Sequence, residues 1–288
     1  MFKRLLIINL FLLSLICIPS FSFAHQPRIV DTDLVEVNDP EISKVYYATL
    51  SGVPNLYFIN SDADFDLYVD ILLPDIVTKD KSTVVEISRI VGVSEDWVLL
   101  KTIGGKDSKW EKFFEPFGQS TYFSGGEYKV RAEAGIYVLK VSSEKNNNKY
   151  ALAIGEKEVF GRREIFNSLS NIPNIKRFFF EESPMSFIKS PLGFGYIALM
   201  YLIAGIFVFI YRAILSKFLK NSAHGLTKNI GKKDRAFRLF ISAGLLFWAI
   251  TTSWSPVILF FSGFVFFEAI FSWCAFYSLI GKNTCPLN

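Results

Sequence analysis

Two thiols, Cys274 and Cys285, stand eleven positions apart in the closing stretch CAFYSLIGKNTCPLN. Such a pair suits redox chemistry, persulfide transfer or metal binding, and either thiol suits a bond to a second chain. The plain alternative is packing, since a free cysteine behaves as a small apolar side chain. In one unbroken helix the two would lie about 16 Å apart. A disulfide needs Cα atoms at about 4.4–6.8 Å, so a direct bond requires the chain to reverse at Gly281. A zinc site wants four ligands, and the histidine nearest in sequence is His224.

Glu268 is a second candidate, because it stands near the middle of an apolar run. A carboxylate inside a bilayer is costly and faces a protein interior. It serves as a proton or ion relay, as a packing contact with a hydroxyl such as Ser242 or Thr251, or as a dimer contact. Asp62, Asp64 and Asp66 suggest calcium, but an EF-hand loop wants glycine at its sixth position and glutamate at its twelfth. Leu67 and Leu73 stand there, which excludes that site. One weak calcium ion on alternate carboxylates and a solvated strand face both remain open. With Cys17 removed with a leader, His25 and His224 are the only histidines and fall on opposite sides of the membrane. No Ser-His-Asp or Cys-His arrangement is built from them. Gly104-Gly105 and Gly125-Gly126 read as turns, and no phosphate-binding loop is visible. No catalytic, cofactor-binding or metal-binding residue is therefore assigned.

The elements that position these residues are membrane elements. Of the 288 residues, 51% are hydrophobic and 16% aromatic, and the net charge of +4 is too small to suggest nucleic-acid binding. MFKRLLIINLFLLSLICIPSFSFA, residues 1–24, has the form of a secretory signal: Lys3 and Arg4, an apolar core, then Ser22-Phe23-Ala24 as the cleavage site. Ile16 before Cys17 argues against lipidation. Residues 191–215 read as a transmembrane helix, uncharged from Leu192 to Tyr211. Residues 216–235 read as a basic cytoplasmic loop by the positive-inside rule. Residues 236–280 read as a helical hairpin turning at Ser253–Pro256, with its second helix continuous to Ile280. The tail 281–288 then lies in the cytoplasm, in a reducing compartment.

Upstream, residues 25–157 read as short strands separated by turn residues, the pattern of an all-β sandwich or jelly roll. In DADFDLYVDIL, Ala63, Phe65, Leu67, Val69 and Ile71 take one face. Asp62, Asp64, Asp66, Tyr68 and Asp70 take the other, which reads as wet. Residues 158–190 read as an amphipathic juxtamembrane linker, a helix broken near Pro173. Phe178, Phe179 and Phe180 would anchor it at the outer membrane surface.

Two stretches carry family resemblances. DFDLYVDILLP with AGIYVLKVSSEKNNNKYALAIG resembles the β-sandwich modules of the pre-peptidase C-terminal type, which implies a non-catalytic accessory or binding module. Asn229, Gly231, Asp234, Arg235 and Arg238, with Cys274, Tyr277, Gly281, Thr284 and Cys285, resemble the YgaP-type transmembrane domain over residues 227–287. That resemblance implies a membrane hairpin and a homodimer through it. The family's namesake joins the hairpin to a rhodanese, but no cysteine of the mature chain precedes Cys274, so the transferase activity is not carried over. Read without the family, Asp234 complements the helix dipole, and Arg235 and Arg238 bind lipid phosphates or the carbonyls ending the neighbouring helix.

The expected protein is a non-enzymatic, multi-pass protein of a prokaryotic plasma membrane. Residues 25–190 are exported and bind an envelope protein or ligand, with no cofactor. The rival is a membrane thiol protein passing electrons or sulfur to a cytoplasmic partner through Cys274 and Cys285.

Overall fold

The computed structural model describes residues 25–76, 80–92, 96–116, 118–159, 161–218 and 228–285. The signal segment 1–24, Lys220, His224 and Pro286 lie outside the described residues. The chain forms two compact units that divide between Ser186 and Phe187.

The first unit is a β-sandwich. One sheet runs β1(Gln26–Ile29), β3(Lys44–Thr49), β11(Lys149–Ile154), β5(Phe65–Pro74), β9(Ser120–Ala132), β8(Glu111–Glu115) in spatial order. The other runs β2(Leu34–Glu36), β4(Asn55–Ser61), β10(Gly135–Ser142), β6(Val84–Val91), β7(Asp96–Gly104). From β3 to β6 the chain alternates between sheets, and β11 returns between β3 and β5, as β10 returns between β4 and β6. That is jelly-roll wrapping. The strands β1, β2 and β8, which sequence pattern did not mark, all lie at sheet edges. They are short, and in β1 and β8 burial does not alternate, because an edge position supplies no second neighbour to enforce it; in β2 only Val35 turns inward.

Period-two alternation places the core. Phe65, Leu67, Val69 and Ile71 of β5 are buried against Tyr57, Ile59, Ile87, Leu139 and Leu152. The tyrosine hydroxyls buried there satisfy one another: Tyr57 and Tyr150 are 2.8 Å apart, and Asn55 donates to Tyr150 at 2.8 Å.

The opposite face of β5 is wet only at its start, where Asp66 is exposed, and not toward its end. Leu72 is buried there with Val45, Tyr122, Ala151 and Ala153, and Ile175, Phe179 and Phe180 cover them. These three belong to the segment read from sequence as a membrane-surface helix. Helix α1(Arg162–Asn174) does not break at Pro173. It widens into a π-helical turn, Ile175–Phe179, in which the Phe180 amide reaches Ile175 O at 3.1 Å. The wider turn directs Phe179 onto Tyr47 and Phe180 onto Tyr122, both edge-on with ring centroids 5.0 Å apart. Apolar rings find protein there rather than lipid, and of the three phenylalanines only Phe178 is exposed, at 66%.

The second unit is helical. A 3₁₀ turn, Pro184–Lys189, leads to α2(Pro191–Phe218). Then come α3(Lys232–Thr251), α4(Pro256–Phe271) and the short α5(Ala275–Ile280). Among the described residues, one helix is long and apolar enough to cross a membrane, Pro191–Leu215. The helix expected to run unbroken to Ile280 stops nine residues earlier. Ser272 adopts a left-handed conformation, φ +54°, and ends α4 after 16 residues. That length is about 24 Å, short of the roughly 30 Å of a hydrocarbon core. Proline at the first position of α4 was legible, but a serine in the left-handed region is not a sequence signal.

Candidate functional site

The sequence-marked polar residues of the helical unit gather around the break at Ser272. Breaking a helix frees carbonyls, and in apolar surroundings each needs a donor. Asn229 supplies several. Its amide and that of Ile230 donate to Ser272 O at 3.0 and 3.3 Å. Its side chain donates to Cys274 O and to Ser278 Oγ, both at 2.9 Å, and accepts from the Cys274 amide at 2.7 Å. Arg235 Nε donates to Ala269 O at 2.9 Å. Of the two roles open to Arg235, lipid phosphate or helix-ending carbonyl, the structure shows the second.

The tail returns to the same place. Gly281, at φ +70°, caps α5, and the Lys282 amide closes onto Tyr277 O at 2.9 Å. The Thr284 amide then donates to Asn229 O at 3.0 Å, and Thr284 Oγ1 accepts from the Gly231 amide at 3.0 Å. Glycine is needed at 231 because a Cβ there would stand 2.2 Å from Thr284 O.

Glu268 sits at the centre, 3% exposed. Arg238 Nη1 donates to its Oε2 at 2.6 Å, and Arg238 Nε lies 3.3 Å from Asp234 Oδ1. The guanidinium also lies over the Tyr277 ring, 5.2 Å from its centroid. The hydroxyl partners expected for Glu268 are therefore replaced by a cation. Ser242 pairs instead with Ser262, each Oγ donating to the other's carbonyl at 2.9 Å. Thr251 turns back onto Phe247 O at 2.8 Å. Helix spacing explains the difference: Asp234 and Arg238 share a face one turn apart, and that face meets Glu268.

The two thiols are both free, Cys274 buried and Cys285 partly exposed. The turn at Gly281 brings Thr284 onto Asn229 and Gly231, with the Cys285 backbone beside Gly231. Cys274, 4% exposed and packed at the start of α5, lacks the access that a nucleophilic thiol needs.

In the β-unit, the acidic row is occupied by protein groups. Asp64 Oδ1 accepts from the Ala134 amide at 2.9 Å, and Asp66 Oδ1 accepts from Arg131 at 3.1 Å. No group of metal-ligating side chains occurs among the described residues. Asp70 was read as a wet residue and is not. Burial raises its carboxyl from the usual 3.8 to about 7, against the Ser124 hydroxyl that donates to it at 3.1 Å. Lys176 is 1% exposed and clips the π-helical turn to the sandwich. It donates to Gln119 O at 2.6 Å, Ser120 Oγ at 2.7 Å and Glu182 Oε2 at 2.9 Å. Burial lowers its basicity, and Glu182 partly restores it.

The β-unit also has an exposed apolar run. Trp97, Val98, Leu99 and Leu100 of β7 are 48%, 46%, 56% and 40% exposed. β7 is the last strand of its sheet, so its outer backbone edge is unpaired within that sheet. Four consecutive exposed apolar residues put both faces of the strand in solvent, which a strand closing a core does not do. WVLLKTI was legible as a strand, but not as an edge strand.

No curated protein matches the chain. Among solved structures it is similar to a Yersinia pseudotuberculosis-derived mitogen, with 12% identity, 42% of this chain and 92% of that chain covered, and a TM-score of 0.28. It is also similar to the pre-peptidase C-terminal domain of a Bacillus anthracis collagenase, at 8%, 45%, 94% and 0.25. A third is CorA, a surface-associated copper-binding protein of Methylomicrobium album BG8, at 7%, 45%, 100% and 0.24. Residues 226–288, the segment that holds the Asn229 and Glu268 network, match the family described as inner membrane protein YgaP-like, transmembrane domain, so this is a membrane protein carrying a YgaP-like transmembrane domain.

Proposed function

We propose that the chain is a non-enzymatic, membrane-anchored protein whose exported β-domain binds a partner in the envelope. The observation that carries this is the exposed run Trp97–Leu100 on an edge strand. An extended segment of a partner can pair with such an edge, its side chains packing beside the exposed apolar residues. The helical unit is the anchor. Its polar groups are spent on one another, Arg238 on Glu268 and Asn229 on Cys274, which suits a closed bundle rather than a conduction path.

In this reading α2, α3 and the α4–α5 pair make three membrane passes in the plasma membrane of a prokaryote. The short α4 is tolerated because its broken end is buried in protein. Lys228, Lys232, Lys233 and Arg235 stand at the α3 entrance against one acid, Asp234, and place that end in the cytoplasm. Residues 25–190 are then extracytoplasmic, the amino-terminal segment is the export signal, and the tail is cytoplasmic. The hairpin also provides the homodimer contact.

Photocrosslinking in intact cells tests the binding role. A crosslinkable residue at Leu99 should give a discrete adduct, and the same residue at Leu34 should not. The adduct should be lost in a Trp97→Ser/Leu100→Ser chain. Full-length, membrane-inserted protein that gives no adduct from Leu99 would overturn the reading.

A further inference from the structure

Strands β1 and β3 run parallel, with Gln26 beside Lys44 and Arg28 beside Tyr46. Residues two apart on a strand share a face, so this register gathers four polar side chains on one face of the sheet. It is the inner face, because the Tyr46 ring meets Tyr57 of the other sheet edge-on at 5.4 Å. Gln26, Lys44 and Tyr46 are 5%, 7% and 5% exposed. A sandwich interior is ordinarily apolar, and a buried polar set in its place breaks the local rule in the way that functional sites do.

The four side chains line a cleft of about 430 Å³, a usual size for a small-molecule site. Glu36 and Asp39, after the first strand of the other sheet, and Gly161 and Glu164, at the start of α1, complete its walls. In both sheets this is the edge opposite β7 and β8.

The floor of the cleft holds donors that the protein does not use. Lys44 Nζ donates to Asn38 O and, at 3.3 Å, to Asp39 O, which leaves one proton. Arg28 Nη1 reaches Glu164 Oε2 at 3.0 Å and Pro27 O at 3.2 Å, and Nη2 reaches Gln26 Oε1 at 2.7 Å. Its Nε and one Nη2 proton have no partner among the described residues. The Tyr46 hydroxyl has none either, whereas the neighbouring hydroxyls of Tyr57 and Tyr150 bond each other. Burial raises the Tyr46 hydroxyl to about 12, with Arg28 opposing, so at neutral pH it remains a donor. Buried donors without an acceptor cost free energy, which an acceptor brought by a ligand would recover.

Charge selects the ligand. On the floor, Arg28 and Lys44 face the single acid Glu164, and the first amides of α1, which has no side-chain cap, add partial positive charge. At the exposed rim stand Glu36 and Asp39. The floor suits one carboxylate. The rim repels a dianion and attracts an ammonium group.

We propose that this cleft binds a free amino acid, its carboxylate received by Tyr46, Lys44 and Arg28 and its ammonium group by Glu36 and Asp39. The site is separate from the β7 edge and does not depend on it.

The test titrates the full chain in detergent with each of the twenty amino acids, and with acetate, ethylammonium and inorganic phosphate, by calorimetry. At least one amino acid should bind with a Kd of about 1 mM or below, more tightly than the other three compounds. Tyr46→Phe keeps the ring against Tyr57 and removes only the hydroxyl. It should melt like the unsubstituted chain and bind that amino acid about tenfold more weakly, the loss of one hydrogen bond to a charged group. Glu36→Gln/Asp39→Asn should weaken the amino acid and not acetate. No binding by any amino acid, or equal affinity in the Tyr46→Phe chain, overturns the proposal. Phosphate bound as tightly as the best amino acid would mean a plain anion site, and also overturns it.

Discussion

Arg238 Nη1 lies 2.6 Å from Glu268 Oε2, and this buried pair joins the first turns of α3 to the broken end of α4. Removing one partner strands the other. Arg238→Ala should cost about 3–5 kcal/mol, because Glu268 is left buried with no counter-ion. A double Arg238→Met/Glu268→Met chain should recover most of that loss, since a buried pair replaced by apolar groups is close to neutral. Thermal unfolding in detergent measures both, and equal losses in single and double variants would show that the pair is not coupled.

Asn229 and Gly231 hold the tail by different physics. Asn229→Ala removes three side-chain hydrogen bonds at the break and should cost about 2–4 kcal/mol. Gly231→Ala should displace Thr284 and expose residues 282–285 to protease. Gly244→Ala, where an added Cβ meets nothing within 4 Å, should leave the tail protected. A tail equally resistant in all three chains would contradict the close approach.

The thiols should differ in accessibility. In the folded protein a maleimide should modify Cys285 promptly and reach Cys274 only on unfolding, since Cys274 is 4% exposed. Mass spectrometry of timed samples reads this. Mild oxidant should not join the two within one chain.

Asp70 gives the β-domain a pH dependence. Its carboxyl titrates near 3.8 when unfolded and about 7 when folded. Between those values the unfolded chain has released a proton that the folded chain retains, so stability falls as pH rises from about 4 to about 7 and stays lower above. Asp70→Asn, which keeps an acceptor for Ser124, should flatten that slope and add on the order of 2 kcal/mol at pH 8 with little change at pH 4. Unfolding followed at both pH values checks the sign.

Lys176 ties the juxtamembrane segment to the sandwich with all three of its donors. Lys176→Met should speed amide exchange across residues 162–182 and leave the central strands β5 and β10 unchanged. Faster exchange throughout the sandwich would mean that the lysine supports the whole core.

Much of the plan was legible in the residues themselves. Strand periodicity marked the inner face of β5, because alternation of apolar and polar residues is local information. The uncharged run from Leu192 to Tyr211 marked α2, a helix long and apolar enough to cross a membrane, because length and polarity are local properties. Asn229, Gly231, Asp234, Arg235, Arg238, Tyr277, Gly281 and Thr284 could be named as one group from their resemblance to the YgaP-type transmembrane domain. What they do to one another depended on contacts between residues 30 to 55 positions apart. Only the tertiary structure put Arg238 on Glu268, Asn229 on Cys274 and Thr284 on Gly231. It also broke the last long helix at Ser272, a serine in the left-handed region that no propensity foretells. The same holds for Phe179 and Phe180: aromatic residues beside a membrane helix look like interfacial anchors. Whether such rings meet lipid or protein is decided by the apolar outer face of the sheet, which forms only when β3, β5, β9 and β11 come together.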